Sequence, residues 1–127
     1  MMTLFSGIST KKKLFVSAAL LACAMQAQAT EAYIDNIAIS KIRSVGDYSA
    51  ATYSNTVEIW FTTPVNLPAG MKCSTVALRV DIDAKQKHMV AAAYMALATG
   101  KKIGIAVDDR LPIRGDTCEI SFLDVMS

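Results

Sequence analysis

Few side chains in this chain of 127 residues could carry out acid–base or nucleophilic chemistry. A nucleophile needs a base within hydrogen-bonding reach, and His88, the only histidine, lies among lysines near the start of a predicted helix. The carboxylate pairs are Asp81 with Asp83 and Asp108 with Asp109. Adjacent residues of a strand point to opposite faces, so Asp108 and Asp109 need not converge on one substrate. The sequence therefore predicts no catalytic residue and favours a protein that is not an enzyme.

Acidic residues near the C-terminus could hold calcium only if the loop that carries them folded back on itself. Asp108, Asp109 and Asp116 lack the Asp-x-Asp spacing and the glycine of an EF-hand loop, so a turn is the simpler interpretation. Arg114-Gly115-Asp116 spells an integrin-type tripeptide, but short motifs arise by chance and Gly-Asp is typical of a turn. We predict no metal and no cofactor.

Two cysteines are expected to have a structural role rather than a chemical one. Cys73 and Cys118 do not form a C-x-x-C motif, and the histidine is far from both along the sequence, which disfavours a redox-active or metal-binding pair. An even pair in a small exported domain is typical of a structural disulfide. We therefore predict a disulfide between Cys73 and Cys118.

The first 29 residues are typical of a signal peptide. Three lysines at 11–13 precede the apolar run LFVSAALLA, and the small residues of AQA at 27–29 predict cleavage after Ala29. The alternative is a lipoprotein acylated at Cys23, although Leu21 fits the small-residue preference at that position poorly. The sequence thus predicts an exported protein, periplasmic or secreted.

What remains after cleavage, residues 30–127, is expected to be one domain. The apolar run of the leader is shorter than the roughly 20 residues that span a bilayer, so we predict no transmembrane segment. Once the leader lysines are removed, the chain is close to neutral, with its basic residues scattered among acids. Nucleic-acid binding needs a basic patch that neutralises phosphates, and the composition therefore disfavours a nucleic-acid partner.

Apolar–polar alternation predicts five strands and one helix in the mature chain. Asp83 is the predicted N-cap of the helix, and Gly100 is the predicted left-handed residue at its end. Pro64 is expected to end the second strand, and the polar stretch 44–55 is expected to form a long loop. The predicted strands are Ala32–Arg43, Thr56–Thr62, about Ser74–Ile82, Lys102–Asp108 and Cys118–Met126, and the predicted helix is Ala84–Thr99.

Packing of the helix and of the fourth strand follows from the same patterns. Residues at helical spacing predict the stripe that faces the core, namely Val90, Ala93, Tyr94 and Leu97. On the fourth strand, Gly104 and Ala106 share one face. Their small size would let another element approach that face closely.

The element order β-β-β-α-β-β is that of the OB-fold, a five-stranded Greek-key barrel that is partly open. We therefore predict a mainly β domain with one helix and an OB-fold. In that barrel the third and fifth strands lie side by side and parallel, which would bring Cys73 close to Cys118. A ferredoxin-like α/β sandwich is the alternative, but it needs a helix between the first two strands, and SVGDYSAATYSN is a poor helix former.

The run AYMALATGKKIGIAV at 93–107, followed by GDTCEI at 115–120, resembles the C-terminal half of the B subunits of subtilase cytotoxin and pertussis-like toxins. It is also similar to many small exported bacterial proteins with this pattern. The resemblance implies an OB-fold, a pentameric ring that binds sialylated glycans, and an enzymatic A subunit whose tail docks in the central pore. A non-enzymatic, glycan-binding module is the function it implies for this chain.

A ligand surface is expected where OB-fold proteins commonly bind, on the second and third strands and on the two connections that flank them. Tyrosine rings stack on sugars, and carboxylates accept hydrogen bonds from hydroxyls. The candidate ligand-binding residues are Asp47, Tyr48, Tyr53, Trp60, Asp108, Asp109 and Arg110. The alternative function is a stand-alone periplasmic or secreted protein of the same fold, which acts as an interaction or inhibitor domain without a toxin role.

Overall fold

Residues 30–127 of the chain are described by a computed structural model. The predicted signal peptide, its cleavage site and Cys23 lie outside these residues. The described part is mainly β with one α-helix, as predicted. Its elements are β1 (Glu31–Ile37), β2 (Ile39–Val45), a 3-10 turn (Ala51–Tyr53), β3 (Thr56–Asn66), β4 (Val76–Asp83), α1 (Lys87–Thr99), β5 (Ile103–Asp108) and β6 (Glu119–Val125).

The first predicted strand is divided in two, so the sheet has six strands rather than the predicted five. β1 pairs with β5 and β2 pairs with β3, which gives the strand order β1-β5-β6-β4-β3-β2. Asn36 has a φ of 57° where the register of β1 shifts, a left-handed conformation that asparagine adopts more readily than most residues. Only Ala38 separates the two edge strands of the sheet along the chain.

β3 continues past Pro64, where the sequence predicted its end. The strand runs to Asn66, but its register against β4 shifts between Trp60 and Val65. Proline has no N–H to donate and is tolerated in a strand at such an irregularity. Pro64 therefore interrupts the hydrogen-bond ladder without ending the strand.

The cysteine pair lies where β4 and β6 run side by side. These two strands are parallel, with Asp81 opposite Glu119, and the disulfide joins Cys73, just before β4, to Cys118, just before β6. Both cysteines are buried. The predicted disulfide and the predicted parallel neighbours are thus confirmed.

The helix begins later than predicted, at Lys87, and Asp83 is not its N-cap. Asp83 ends β4, and its carboxylate accepts a hydrogen bond from the backbone N–H of Lys85 at 3.0 Å. The residue before the helix, Gln86, makes no side-chain capping bond. Gly100 ends the helix with a φ of 68°, as predicted. Among residues 30–127, no helix combines the length and the apolar character needed to cross a membrane.

The buried face of α1 is smaller than the predicted stripe. Met89, Ala93 and Ala96 are buried, whereas Tyr94 and Leu97 remain exposed. The Tyr94 hydroxyl instead lies 2.6 Å from Ser44 Oγ of β2. The prediction was wrong for these two residues because the sheet accepts the alanines, which let the helix backbone approach closely, in preference to the bulkier side chains.

Alternate residues of the central strands fill the core. Their side chains are less than 5% exposed, and these buried residues are Val57, Ile59, Phe61, Val80, Ile82, Ile103, Ile105, Val107 and Ile120. On the other face of β5, the ring of Tyr33 lies directly over Gly104, as the small residues of that face predicted. The outer face of β2, β3 and β4 includes charged and aromatic side chains, among them Lys41, Arg43, Glu58, Trp60, Arg79 and Asp81.

Candidate functional site

The loop between β2 and β3 is held in shape by hydrogen bonds of its own. The backbone N–H of Asn55 donates to Gly46 O at 3.0 Å. Ser54 Oγ accepts from the N–H of Tyr48 and donates to its carbonyl, both at 3.0 Å. The Asn55 side-chain amide also donates to Asp47 Oδ1 at 3.3 Å. These bonds give the loop a defined conformation in which it can form the wall of a site.

A cleft of about 520 Å³ opens between this loop and the outer face of β2, β3 and β4. Sites for small molecules commonly have volumes of about 300–1,000 Å³. Three predicted ligand-binding residues, Asp47, Tyr48 and Tyr53, come together here. The complete lining is Arg43, Ser44, Val45, Gly46, Asp47, Tyr48, Ala50, Tyr53, Glu58 and Arg79.

Arg79 of β4 contacts two residues of the cleft lining, Glu58 and Tyr53, and two residues beside it, Thr117 and Trp60. Its Nη1 lies 3.3 Å from Glu58 Oε1, and its Nε donates to Thr117 Oγ1 at 3.2 Å. Its guanidinium carbon lies 5.7 Å from the ring centroid of Tyr53 and 5.3 Å from that of Trp60. Cation–π attraction acts over such distances. Arg79 thus contacts the Glu58 carboxylate, one hydroxyl and two aromatic rings, and its Nε also lies 3.9 Å from a second carboxylate, that of Asp81.

Trp60 lies beside the cleft rather than in its lining. The indole Nε1 donates to Glu58 Oε2 at 3.1 Å. Lys41 Nζ lies 4.4 Å from the ring centroid, and the guanidinium carbon of Arg43 lies 5.5 Å from it. The predicted ligand-binding tryptophan thus supports the arginines and the glutamate that line the cleft.

Asp81 is buried beneath Arg79. It lies opposite Glu58 of β3 and opposite Glu119 of β6, and it is 1% exposed. Its Oδ1 is 3.9 Å from Arg79 Nε, and neither carboxylate oxygen has a hydrogen-bond donor within the described part of the chain. Burial raises the pKa of Asp81 to about 6, against a lowering by Arg79. A protonated carboxyl is thus favoured here far more than at the surface.

Arg114, the first residue of the integrin-type tripeptide, is largely buried. Its Nη1 donates to the carbonyl of Thr52 at 2.8 Å, and its Nη2 lies 3.9 Å from Glu119 Oε2. Burial raises the pKa of Glu119, and the guanidinium of Arg114 opposes this rise. Because the arginine joins β6 to the wall of the cleft, it is not free to engage a receptor as an exposed tripeptide would.

The other three predicted ligand-binding residues lie outside the cleft. The Asp108 carboxylate accepts hydrogen bonds from Arg110 Nη2 at 2.7 Å and from Arg110 Nε at 2.9 Å. These bonds lower the pKa of Asp108. Asp109 accepts a bond from the backbone N–H of Lys72 at 3.0 Å. The structure therefore does not bring the connection after β5 together with the loop after β2. Asp108 and Arg110 pair with each other, and Asp109 holds the backbone that precedes β4.

His88 is exposed in the first turn of α1. Within residues 30–127, no three His, Cys, Asp or Glu side chains are grouped as metal ligands would be. The buried carboxylates Glu58 and Glu119 each face an arginine.

Sequence reasoning did not select Arg43, Glu58 and Arg79. A signal for them was present, because Glu58, Trp60, Arg79 and Asp81 occupy the polar positions of two consecutive predicted strands. Antiparallel pairing of those strands places Trp60 opposite Arg79 and Glu58 opposite Asp81, so that Arg79 is a diagonal neighbour of Glu58 and within reach of its carboxylate.

Gly115 supports the wall of the cleft through Tyr53. It has a φ of 48°, and the Tyr53 hydroxyl lies where a Cβ on this glycine would stand. We expect Gly115→Ala to lower the free energy of unfolding by about 1–2 kcal/mol, because the left-handed conformation is strained in alanine, and to displace Tyr53. Urea unfolding measures the first effect. Gly46→Ala is the matched control, since no described atom lies within 4 Å of its Cβ position. Equal stability of the two variants would contradict the prediction.

No protein-family model, curated protein or solved structure matches this chain. The function is therefore inferred from the chemistry of the cleft.

Proposed function

We propose that the protein is an exported, non-enzymatic binding module that takes a glycan in the cleft between the β2–β3 loop and the outer face of the sheet. Residues 1–29 serve as its signal peptide, and residues 30–127 form an OB-type barrel. The ligand is held by aromatic faces and by hydrogen bonds, and no bond of the ligand is made or broken.

The strand order supports the OB-type barrel. β1 and β2 act as two halves of one bent first strand, each at one edge of the sheet, so a continuous segment joins the two edges. β4 is parallel to β6, and the helix lies between β4 and β5 in the chain. These features are those expected of the Greek-key barrel proposed here, in which this face of the sheet would be the common ligand surface.

The composition of the cleft is the observation that carries the proposal. Tyr48 is 57% exposed and offers its ring to the apolar face of a sugar. The Arg43 side chain is 53% exposed and makes one ion pair, with Glu58, so most of its donors are available to ligand oxygens. Asp47 supplies acceptor oxygens for hydroxyls. Aromatic faces with a few convergent polar groups are typical of small-molecule sites.

A glycan array with the purified, oxidised protein tests the proposal, and a tyrosine pair sharpens it. For a glycan that binds, we expect Tyr48→Ala to weaken the affinity roughly tenfold, the equivalent of about 1.4 kcal/mol, because a stacking face is lost. Tyr33→Ala is the control, since Tyr33 is 49% exposed on β1 and does not line the cleft. An array without any bound glycan, or equal losses in the two variants, would refute the glycan-binding proposal.

Assembly into a toxin-like pentamer that carries an A subunit extends the proposal. Ala91, Met95 and Ala98 are exposed on one face of α1, and this partly apolar face supports packing between subunits. Light scattering is expected to give the mass of five copies, and a monomer would remove the toxin-like part of the proposal.

A second candidate is a stand-alone interaction or inhibitor protein of the same fold. It is favoured by an aromatic pair on β1 and β6, where the rings of Tyr33 and Phe122 stack with centroids 5.8 Å apart and both remain exposed. Exposed apolar patches with a polar rim mark interaction surfaces. A monomer in solution that binds no glycan would favour this candidate.

A further inference from the structure

Asp81 has an unusual environment for a carboxyl group next to a binding cleft. Its side chain is on the same face of the sheet as the cleft, but it is covered, and both of its oxygens lack a donor among residues 30–127. The nearest cationic atom, Arg79 Nε, is 3.9 Å away and already donates to Thr117 Oγ1. An ionised carboxylate with so few partners is costly to bury.

The charged groups that face Asp81 come from every strand or loop packed against it. Glu58 lies opposite on β3 and Glu119 lies opposite on β6. Arg79 belongs to the same strand, and Arg114 reaches it from the loop between β5 and β6. The two glutamates disfavour the charge on Asp81 and the two arginines favour it. Of these four groups, Glu58 and Arg79 line the cleft.

We propose that Asp81 is a proton-operated switch, whose ionised form holds Arg79 against the sheet and whose neutral form leaves Arg79 to Glu58 and the cleft. The regulated site rests on the proposed function, because the switch matters only if the cleft binds a ligand. The coupling between Asp81 and Arg79 does not depend on that ligand.

Each state of the switch follows from the contacts of Arg79. When Asp81 is ionised, the guanidinium is attracted both by Asp81 and by Glu58, 3.3 Å from Nη1. When Asp81 is neutral, Glu58 is the one remaining counter-charge of the pair. The guanidinium is then free to shift toward Glu58 and along the rings of Trp60 and Tyr53, which it already contacts. This shift would move the guanidinium N–H donors of Arg79 within the cleft.

The midpoint of the switch follows from the environment of Asp81. Burial raises the pKa of this carboxyl to about 6, so the group changes charge between neutral and mildly acidic conditions. A ligand that binds one position of Arg79 better than the other will shift this equilibrium only by the difference between its two affinities.

Trp60 provides a ligand-free readout, because it is the only tryptophan of the chain and contacts Arg79. We expect its fluorescence to change with a midpoint near pH 6 in the wild-type protein and to stay constant from pH 4.5 to 8 in Asp81→Asn. His88→Gln, on the exposed first turn of α1, is the control and should keep the transition. Glu119→Gln tests the other buried carboxyl and should keep it as well.

Several outcomes would overturn the switch. A wild-type fluorescence that does not change with pH would do so, as would a transition that persists in Asp81→Asn or disappears in His88→Gln or Glu119→Gln. If Asp81→Asn does not fold, carbon-13 NMR of the wild-type carboxyl replaces it, and a midpoint near the ordinary value for aspartate, about 3.9, would overturn the proposal. Neither readout uses a ligand, so a negative glycan array refutes the proposed function alone.

Discussion

Replacement of Arg79 with methionine is expected to lower the free energy of unfolding at neutral pH by about 3 kcal/mol. The Glu58 and Asp81 side chains are 4% and 1% exposed, so the change removes a counter-charge from two buried carboxylates. Methionine keeps most of the aliphatic bulk, and the loss is therefore electrostatic. Urea unfolding followed by circular dichroism measures it.

The pH dependence of this loss distinguishes charge from packing. Without Arg79, the folded-state pKa of Asp81 rises further above its unfolded value, because the guanidinium no longer opposes the effect of burial. The folded variant then binds more protons than the unfolded chain in this range, so its stability increases as the pH falls. We expect the difference from the wild-type protein to shrink between pH 7 and pH 4. A difference that is constant over this range would indicate lost packing.

Arg43→Met is the matched control on the neighbouring strand. Arg43 pairs with the same glutamate at 3.2 Å, but its side chain is 53% exposed, and exposed ion pairs contribute about 0–1 kcal/mol. Glu58→Gln combined with Arg79→Met should recover part of the loss, because one of the buried charges is gone. Equal losses of unfolding free energy in the two arginine variants would contradict the expectation that Arg79 stabilises the fold more than Arg43 does.

Removal of the disulfide, by Cys73→Ala with Cys118→Ala, is expected to lower the free energy of unfolding by about 4 kcal/mol. The two cysteines are 45 residues apart, and a cross-link over that length restricts the unfolded chain strongly in the chain-entropy model. A domain of this size has a modest core, so the double variant should be near its limit of stability at 37 °C. Thermal unfolding and urea unfolding both test this.

A reductant gives the same comparison without mutation. The wild-type protein in excess reductant should unfold at the same urea concentration as the double variant, because both lack the cross-link. Each cysteine is also a buried small hydrophobic group, so the alanine variant carries a minor cavity penalty. A reduced protein that is as stable as the oxidised one would show that the bridge contributes nothing.

The parts of the fold that local patterns encode were predicted from the sequence. Period-two alternation located the strands, and Gly100 marked the end of the helix. The element order predicted that β4 and β6 are parallel neighbours, and the positions of the two cysteines agreed with it. The division of the first strand was missed, because it depends on the left-handed backbone of Asn36. Asparagine permits that conformation but does not require it.

The candidate site was predicted only in part, for reasons of tertiary structure. Asp47, Tyr48 and Tyr53 belong to one loop and came together. Asp108 and Arg110 pair with each other outside the cleft. No local sequence pattern indicates that they lie away from the loop between β2 and β3. The register of β3 against β4 decides that Glu58 lies opposite Asp81, and register depends on the packing of both faces.

The position of β1 has a consequence for the order of events during folding. Glu31 pairs with Asp108, so the first strand finds its partner only near the end of the chain. Contacts between such distant residues close late and slow the folding of a domain. A chain that crosses a membrane with its N-terminus first would therefore keep this edge of the sheet unpaired until most of its length had emerged.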